Sequence, residues 1–340
     1  MAEERCRVSV VVCTYNRAES LSRCLESVMH QETGGTFTYE VVVVDDGSTD
    51  HTAKVVVQAQ AAGGAPVRYV RNWEGGGVAA ARNLGVEAAS GDWVAFCDDD
   101  QRAAPDWLKE LLRVGWERGA RCVGGGIRAD LPEDVRARHG RICMDLLGEH
   151  AYEGAPFVFA GHDLPSTGNL LVAKEVFDEV GGFDTGTDSG EDTEFLARVQ
   201  RAGIAVWAAP ASLVCHQVPE YRLGPKYLRW VSRRWGVHFA LVDARHRGCR
   251  ATVLRGIARL GQAGVIFLPR ACWAWLRHDR AALCDQFCLL WRTEGYVRKC
   301  LSLCAPVLLA QPRFFAALRF RAERRLFTPE LGPPRRPGVA

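Results

Sequence analysis

Two hydrophobic periods alternate along the first 220 residues of this chain. Residues 8–13, 39–44 and 93–97 are predominantly apolar runs of strand length, the first two rich in valine and each broken by one polar residue, Ser9 and Glu40. Between them apolar positions recur at helical spacing, as at Leu21, Cys24, Leu25 and Val28 within 20–31. Residues 51–60 and 78–89 read as helices, 67–70 as a short strand, and Leu108, Leu111 and Leu112 mark one more helix. Strands and helices alternating over short connections predict an α/β fold, a Rossmann-like, mainly parallel sheet flanked by helices on both faces. The pattern fades between about 128 and 165, where a substrate-facing loop region fits. It resumes with strands at 169–172 and 204–208 and helices around 174–180 and 190–203.

After Gln217 the texture changes. Tyr221, Tyr227, Trp230, Trp235 and Phe239 are interleaved with Arg and Lys, and from about 250 to 325 apolar stretches are broken by arginines and by Pro269, Pro306 and Pro312. No uninterrupted apolar run there reaches the roughly 18 residues of a spanning helix, so amphipathic helices lying on a membrane surface are expected. The expected division is a catalytic α/β domain over 1–220, a basic helical extension over 221–325 and a disordered tail over 326–340.

Composition sharpens this in two places. The chain has 340 residues and a net charge of only +3, but its arginines gather after about residue 220, where acids are few. That asymmetry points to an anionic partner such as a membrane surface or a phosphorylated lipid, and not to nucleic acid. Thirteen cysteines show no framework spacing. Cys284 and Cys288, and Cys300 and Cys304, stand four apart without histidine at zinc-ligand distance, so packed helical thiols are expected and not a metal site. Met1-Ala2-Glu3-Glu4-Arg5 carries acids and no apolar segment, unlike a signal peptide, and reduced thiols in the cytoplasm are expected.

Candidate chemistry collects where the strands end. Asp98, Asp99 and Asp100 follow the run 93–97, so three carboxylates emerge at the edge where open α/β sheets bind ligands. A divalent cation would relieve their repulsion; a solvated acidic turn before the next helix is the plainer reading. The first strand runs into Thr14-Tyr15-Asn16-Arg17 and the second into Asp45-Asp46-Gly47-Ser48-Thr49-Asp50. In a doubly wound sheet these ends are neighbours and floor one pocket. Asp46 suits a hydrogen bond from a ribose or a uracil-like N–H, although the same residues make a good turn and helix cap. Gly75-Gly76-Gly77 would wrap a phosphate or serve as a flexible turn. The absence of G-x-G-x-x-G after the first strand argues against a dehydrogenase.

These motifs, continued in Ala81-Arg82-Asn83-Leu84-Gly85, Gly181-Gly182-Phe183-Asp184 and Gly190-Glu191-Asp192, resemble the family 2 glycosyltransferases over roughly residues 7 to 217. The resemblance implies a GT-A fold, a nucleotide-diphosphate sugar donor (a UDP-sugar is favoured), Mg²⁺ or Mn²⁺, and transfer with inversion to a hydroxyl acceptor. It makes Asp46 the acid that holds the base. It makes Asp98 and Asp100 the D-x-D element, with Asp100 on the metal and Asp98 nearer the sugar and ribose. Thr14, Tyr15, Asn16, Arg17 and Arg82 join the donor-binding set.

Helical geometry separates two candidates for the general base. Asp192 shares a face with Phe195, Leu196 and Val199, the inward stripe, whereas Glu191 lies with Glu194 and Arg198 on a face that reads as solvated. Asp192 is therefore the expected base, with Glu191 and Trp73 on the acceptor side. His216 stands where related enzymes place a third metal ligand. Arg222, Lys226 and Arg229 stand where family members close a basic lid over the diphosphate, or form a solvated basic helix. The acceptor expected is a lipid-linked or cell-envelope glycan, handled by a peripheral enzyme on the inner face of the plasma membrane. Two alternatives stay open here. A sugar nucleotidyltransferase would need an activating glycine-rich loop in place of Thr14-Tyr15-Asn16-Arg17. A non-catalytic glycan-binding relative would have no use for Asp46, Asp98, Asp100 and Asp192 together.

Overall fold

The computed structural model describes residues 6–73, 75–161, 163–186 and 190–304. The expected tail at 326–340, with Pro306 and Pro312, lies outside them. Two compact units emerge, Met1–Asp130 with Glu149–Gln217, and Leu131–Gly148 with Val218–Ala340.

In chain order the elements are β1 (Cys6–Thr14), α1 (Ala18–Val28), β2 (Phe37–Asp45), α2 (Thr52–Ala62), β3 (Val67–Arg71), α3 (Val78–Ala88), β4 (Trp93–Cys97), β5 (Gln101–Ala103), α4 (Trp107–Arg118) and β6 (Cys122–Asp130). Two short helices of the second unit follow, α5 (Glu133–Arg136) and α6 (Arg141–Leu146). The first unit then resumes with β7 (Phe157–Val158), β8 (Asn169–Ala173), α7 (Lys174–Val180), α8 (Glu191–Arg201) and β9 (Val206–Gln217). The strands join in one sheet of order β3-β2-β1-β4-β8-β6-β9-β5, with β7 on β9. The half from β3 to β4 is parallel; β8 runs antiparallel to both neighbours, and β6 and β9 are again parallel. This is a GT-A-like mixed sheet between helical layers.

Alternation along each strand divides the core. Val8, Val10 and Val12 of β1 and Val41 and Val43 of β2 pack against Leu21, Leu25 and Val28 of α1, and Trp107 and Leu111 of α4 lie in the same cluster. Val11, Val42 and Val44 face the other way, into a cluster with Ala81 of α3, Phe177 of α7 and Phe195 and Leu196 of α8. Gly85 lets α3 approach the sheet, because a Cβ there would collide with Val11. That close approach carries Arg82, one turn earlier, beneath the C-terminal ends of the strands.

The weakly patterned stretch at 128–165 is not one loop region. It contains the end of β6, both short helices and β7, and residues 131–148 fold with the second unit.

That unit continues with α9 (Glu220–Leu223), α10 (Pro225–Gln262), a π-helical turn at Ala263–Phe267, α11 (Leu268–Leu276) and α12 (Arg280–Cys304). α10 breaks at Gly248, whose φ of 80° is left-handed. Gly236 of α10 and Gly295 of α12 oppose the partner helix so closely that a Cβ on either would strike backbone. Tyr296 is fully buried there and donates to Asp243 at 2.8 Å. Averaged hydropathy adds a second reading to the expected surface helices. Counting uninterrupted runs overlooked an 18-residue window of mean hydropathy 1.3 within Pro225–Leu276, in which the few charges are spaced apart. By length and composition alone, that helical stretch is able to cross a membrane.

Candidate active site

The parallel register brings the first two strand ends together. Thr14 pairs with Asp45, and the Asp46 N–H donates to the Thr14 carbonyl at 2.9 Å. Asn16, with a left-handed φ of 50°, turns the chain into α1; its Oδ1 accepts from Thr49 N–H at 2.7 Å and its N–H donates to Ser48 Oγ at 2.9 Å. Tyr15 is half-buried in the same turn. The Asp46 carboxylate accepts from Asn72 Nδ2 (2.8 Å) and from the Gly77 N–H (2.9 Å), so it anchors the glycine turn ahead of α3. Gly75 and Gly77 both have positive φ, which explains glycine in that turn without any phosphate.

The three consecutive aspartates diverge. Asp99 is buried and accepts from Thr14 Oγ1 (2.8 Å) and Arg17 Nη1 (2.7 Å). The same Arg17 nitrogen donates to Asp100 at 3.0 Å. β5 and β9 pair Gln101 with His216, which sets His216 Nε2 3.5 Å from Asp100 Oδ2. Asp98 turns toward α3, 3.4 Å from Arg82 Nη2, and its side chain is 42% exposed. Gly168 makes room for it, since a Cβ there would lie 2.8 Å from Asp98 Oδ2.

Arg82 is buried and spans Asp98 and Glu191, the latter at 2.7 Å. Glu191 is therefore not on a solvated face: its side chain is 12% exposed and its charge is matched by Arg82. Phe195, Leu196 and Val199 are buried as expected. Asp192 stands beside them at the N-terminal turn of α8, where its Oδ1 accepts from the Thr193 N–H at 2.7 Å. Asn83, next to Arg82, holds the turn that leads to α8. It donates to the Phe183 carbonyl at 2.9 Å and accepts from the Phe183 N–H at 2.7 Å, and a Cβ on Gly182 would strike it. Asn83, Asp99 and Gly168 are thus the positioning residues that sequence reading passed over. Their partners lie 82 to 100 residues away or depend on a missing Cβ, and no local pattern announces either.

Other expected residues lie elsewhere. Trp73 is 72% exposed beneath the Arg71 guanidinium. Arg222, Lys226 and Arg229 belong to the second unit, where Arg222 stacks on Tyr221 and Tyr227. A groove of about 730 Å³, lined by Gly91, Asp92, Trp93 and Lys174, opens at the N-terminal end of β4, away from the aspartates.

Six acids, Asp46, Asp98, Asp99, Asp100, Glu191 and Asp192, gather at the strand ends and the head of α8, and four of them pair with Arg17 or Arg82. Asp98 keeps one edge open to solvent, yet the desolvation of its inner side holds it above the usual carboxylate range, with Arg82 opposing and Asp100 and Asp99 adding to it. Asp192 is raised by burial too, against Arg82 and with Glu191. Burial pulls Arg82 down, but Asp98 and Glu191 more than offset it. Asp100 and His216, a carboxylate and an imidazole 3.5 Å apart at the open strand ends, are donor types that would suit Mn²⁺ or Mg²⁺, whereas Asp98 turns toward Arg82 and does not close a three-ligand cluster with them.

Comparison with known proteins agrees with the fold and its motifs. Residues 9–181 match Glycosyl transferase family 2. Glycosyltransferase AglE of Haloferax volcanii is 30% identical over 209 residues, covering 62% of this chain and 66% of AglE. The glucosyl-dolichyl phosphate glucuronosyltransferase of the same organism is 32% identical over 240 residues, 64% of this chain and 71% of that enzyme. The mannosyltransferase PcManGT from Pyrobaculum calidifontis, solved with GDP-Man and Mn²⁺, superposes with a TM-score of 0.59 at 19% identity, over 87% of this chain and 88% of its own, which shows a common fold. The chain belongs to glycosyl transferase family 2.

Proposed function

We propose that this protein is an inverting glycosyltransferase that moves a sugar from a nucleotide-diphosphate donor to a hydroxyl of a lipid-linked or polysaccharide acceptor. The observation that carries the reading is the division of labour among the acids. Asp100 sits with His216 and Asp98 opens to solvent, while Asp192 stands apart at the head of α8. Glu191 is committed to Arg82, whereas Asp192, held by Thr193 at the head of α8, is the carboxylate available to take a proton.

Asp192 accepts the proton of the acceptor hydroxyl as that oxygen bonds to the anomeric carbon. The glycosidic C–O bond breaks on the opposite face, and its electron pair leaves with the diphosphate. A divalent cation held by Asp100 and His216 would offset the charge gathered on that leaving group. Arg17 holds Asp99 and Asp100 in place, and Arg82 holds Asp98. Asp46, already held by Asn72 and the Gly77 N–H, would accept from a base N–H with its remaining lone pairs, and a uracil-like base is favoured.

A lipid-linked acceptor is supported by two features. The second unit exposes Leu254, Ile257, Leu260, Val265, Trp273 and Trp275 between arginines, the composition of a helix seated at a membrane interface. A relative's name also includes a dolichyl phosphate. We propose attachment at the inner face of the plasma membrane, with that surface in the headgroup region.

A thermal-shift panel of UDP-, GDP- and other nucleotide sugars, each with and without Mn²⁺, tests the donor class. One donor at 100 times its Kd should stabilise the protein by about 2.7 kcal/mol, and only with metal. No stabilisation by any member would overturn the reading.

A further inference from the structure

The second unit contains a cluster of thiols that glycosyl transfer does not use. α6 supplies Cys143, and α12 supplies Cys284 and Cys288 from successive turns of one face. Their three Sγ atoms all lie within 4.8 Å of one another. Cys143 and Cys288 are buried at 0% and 1% exposure, while Cys284 is partly open. The backbone of α6 is fixed for this meeting. The Cys143 N–H donates to Asp285 Oδ1 at 2.9 Å, and Gly140 has no side chain because a Cβ would strike the Asp285 carboxylate.

We propose that Cys143, Cys284 and Cys288 bind one soft divalent cation, zinc by its chemistry, as a structural staple that fastens the 131–148 segment to α12. Tetrahedral zinc with Zn–S bonds near 2.3 Å sets sulfurs about 3.8 Å apart, so the cluster needs to contract by no more than about 1 Å along any edge. Three thiolates and a dication leave one net negative charge. Arg292, four residues beyond Cys288 on the same face of α12, offsets that charge, while the Asp285 carboxylate is neutralised in part by the Cys143 backbone N–H from which it accepts. Three sulfurs suit a metal better than a disulfide, which would take two and strand the third. The partly open Cys284 side leaves the fourth position to a solvent ligand. The spacing of Cys284 and Cys288 alone suggested no metal, because their third partner is 141 residues upstream of the nearer of them.

The test uses the full chain purified without chelators. Elemental analysis should find about one zinc per chain, and titration with a mercurial reagent should release it as three thiols react. Cys143→Ser and Cys288→Ser should each lower the zinc content to near zero, while Cys249→Ser, at an exposed cysteine outside the cluster, should leave it unchanged. Exchange into Co²⁺ should give an intense sulfur-to-cobalt charge-transfer band, which an oxygen and nitrogen site at the strand ends does not produce. Wild-type protein with no such band and no thiol-linked zinc would overturn the proposal. So would a disulfide from Cys143 to either partner, found by mass after alkylation. Both readouts use the wild-type chain and stand even where a serine variant fails to fold.

Discussion

Arg82 lies 2.7 Å from Glu191, 109 residues further along the chain, and the same guanidinium reaches Asp98. One buried side chain thus ties α3 and α8 to the end of β4. Removing one partner of a buried pair leaves an uncompensated charge, so Arg82→Met should destabilise the protein by about 3–5 kcal/mol in urea melts. Combining it with Glu191→Gln should recover part of that loss, because the stranded carboxylate is then gone. A double variant as unstable as the sum of the singles would show that the pair is not coupled.

On the proposed mechanism, Asp192 should set the acid limb of the pH profile. As a base it must be ionised, and its folded-state pKa is raised from the ordinary 3.8, burial being the main cause. Activity is therefore present above that raised pKa and is lost as pH falls through it, so the limb should stand above the range of an ordinary aspartate. Linkage fixes the companion sign. Folding favours the protonated form, so this contribution is present below the unfolded pKa and is lost as pH rises through the folded pKa. Asp192→Asn should consequently be no less stable than wild type at neutral pH, yet turn over about 10²–10⁴ times more slowly. Stability and pH–rate measurements on the one variant check both statements.

Gly85→Val should cost about 1–3 kcal/mol, as overpacking does, because any Cβ at that position meets Val11. Thermal melts measure the loss. Donor turnover should fall with it, since α3 also carries Arg82, and a variant with unchanged stability would contradict the packing described.

Much of this architecture was legible. β1, β2 and β4 are runs of buried apolar residues bounded by turns, and their order placed Thr14, Asp46 and Asp98 at one edge. β6 was missed because Gly124-Gly125-Gly126 has no strand propensity. Glycine stands there because Cβ atoms at 124 and 125 would strike Pro165 and Asn169. Of β9 only the stretch at 204–208 was seen, because Pro210 interrupts the strand where its pairing with β6 shifts register between Gly125 and Gly126. Glu191 looked solvated because the helix repeat shows only its own neighbours, and Arg82 comes from another helix. The meeting of Cys143 with Cys284 and Cys288 was invisible for the same reason.

The second unit's exposed apolar face gives a separate expectation. Replacing Leu254, Ile257, Leu260 and Val265 together by serine should abolish flotation with anionic vesicles, since each buried apolar side chain contributes about 1.5–3 kcal/mol. Unaltered flotation would remove the interfacial reading.

Calorimetric titration of the donor sugar nucleotide in Mn²⁺, on wild type, Asp100→Asn and Asp192→Asn, addresses the separation of donor holding from proton removal most directly. Binding should be lost or greatly weakened by Asp100→Asn and kept within a few-fold of wild type by Asp192→Asn. Equal affinity in wild type and Asp100→Asn, or loss of affinity in Asp192→Asn, would contradict the account.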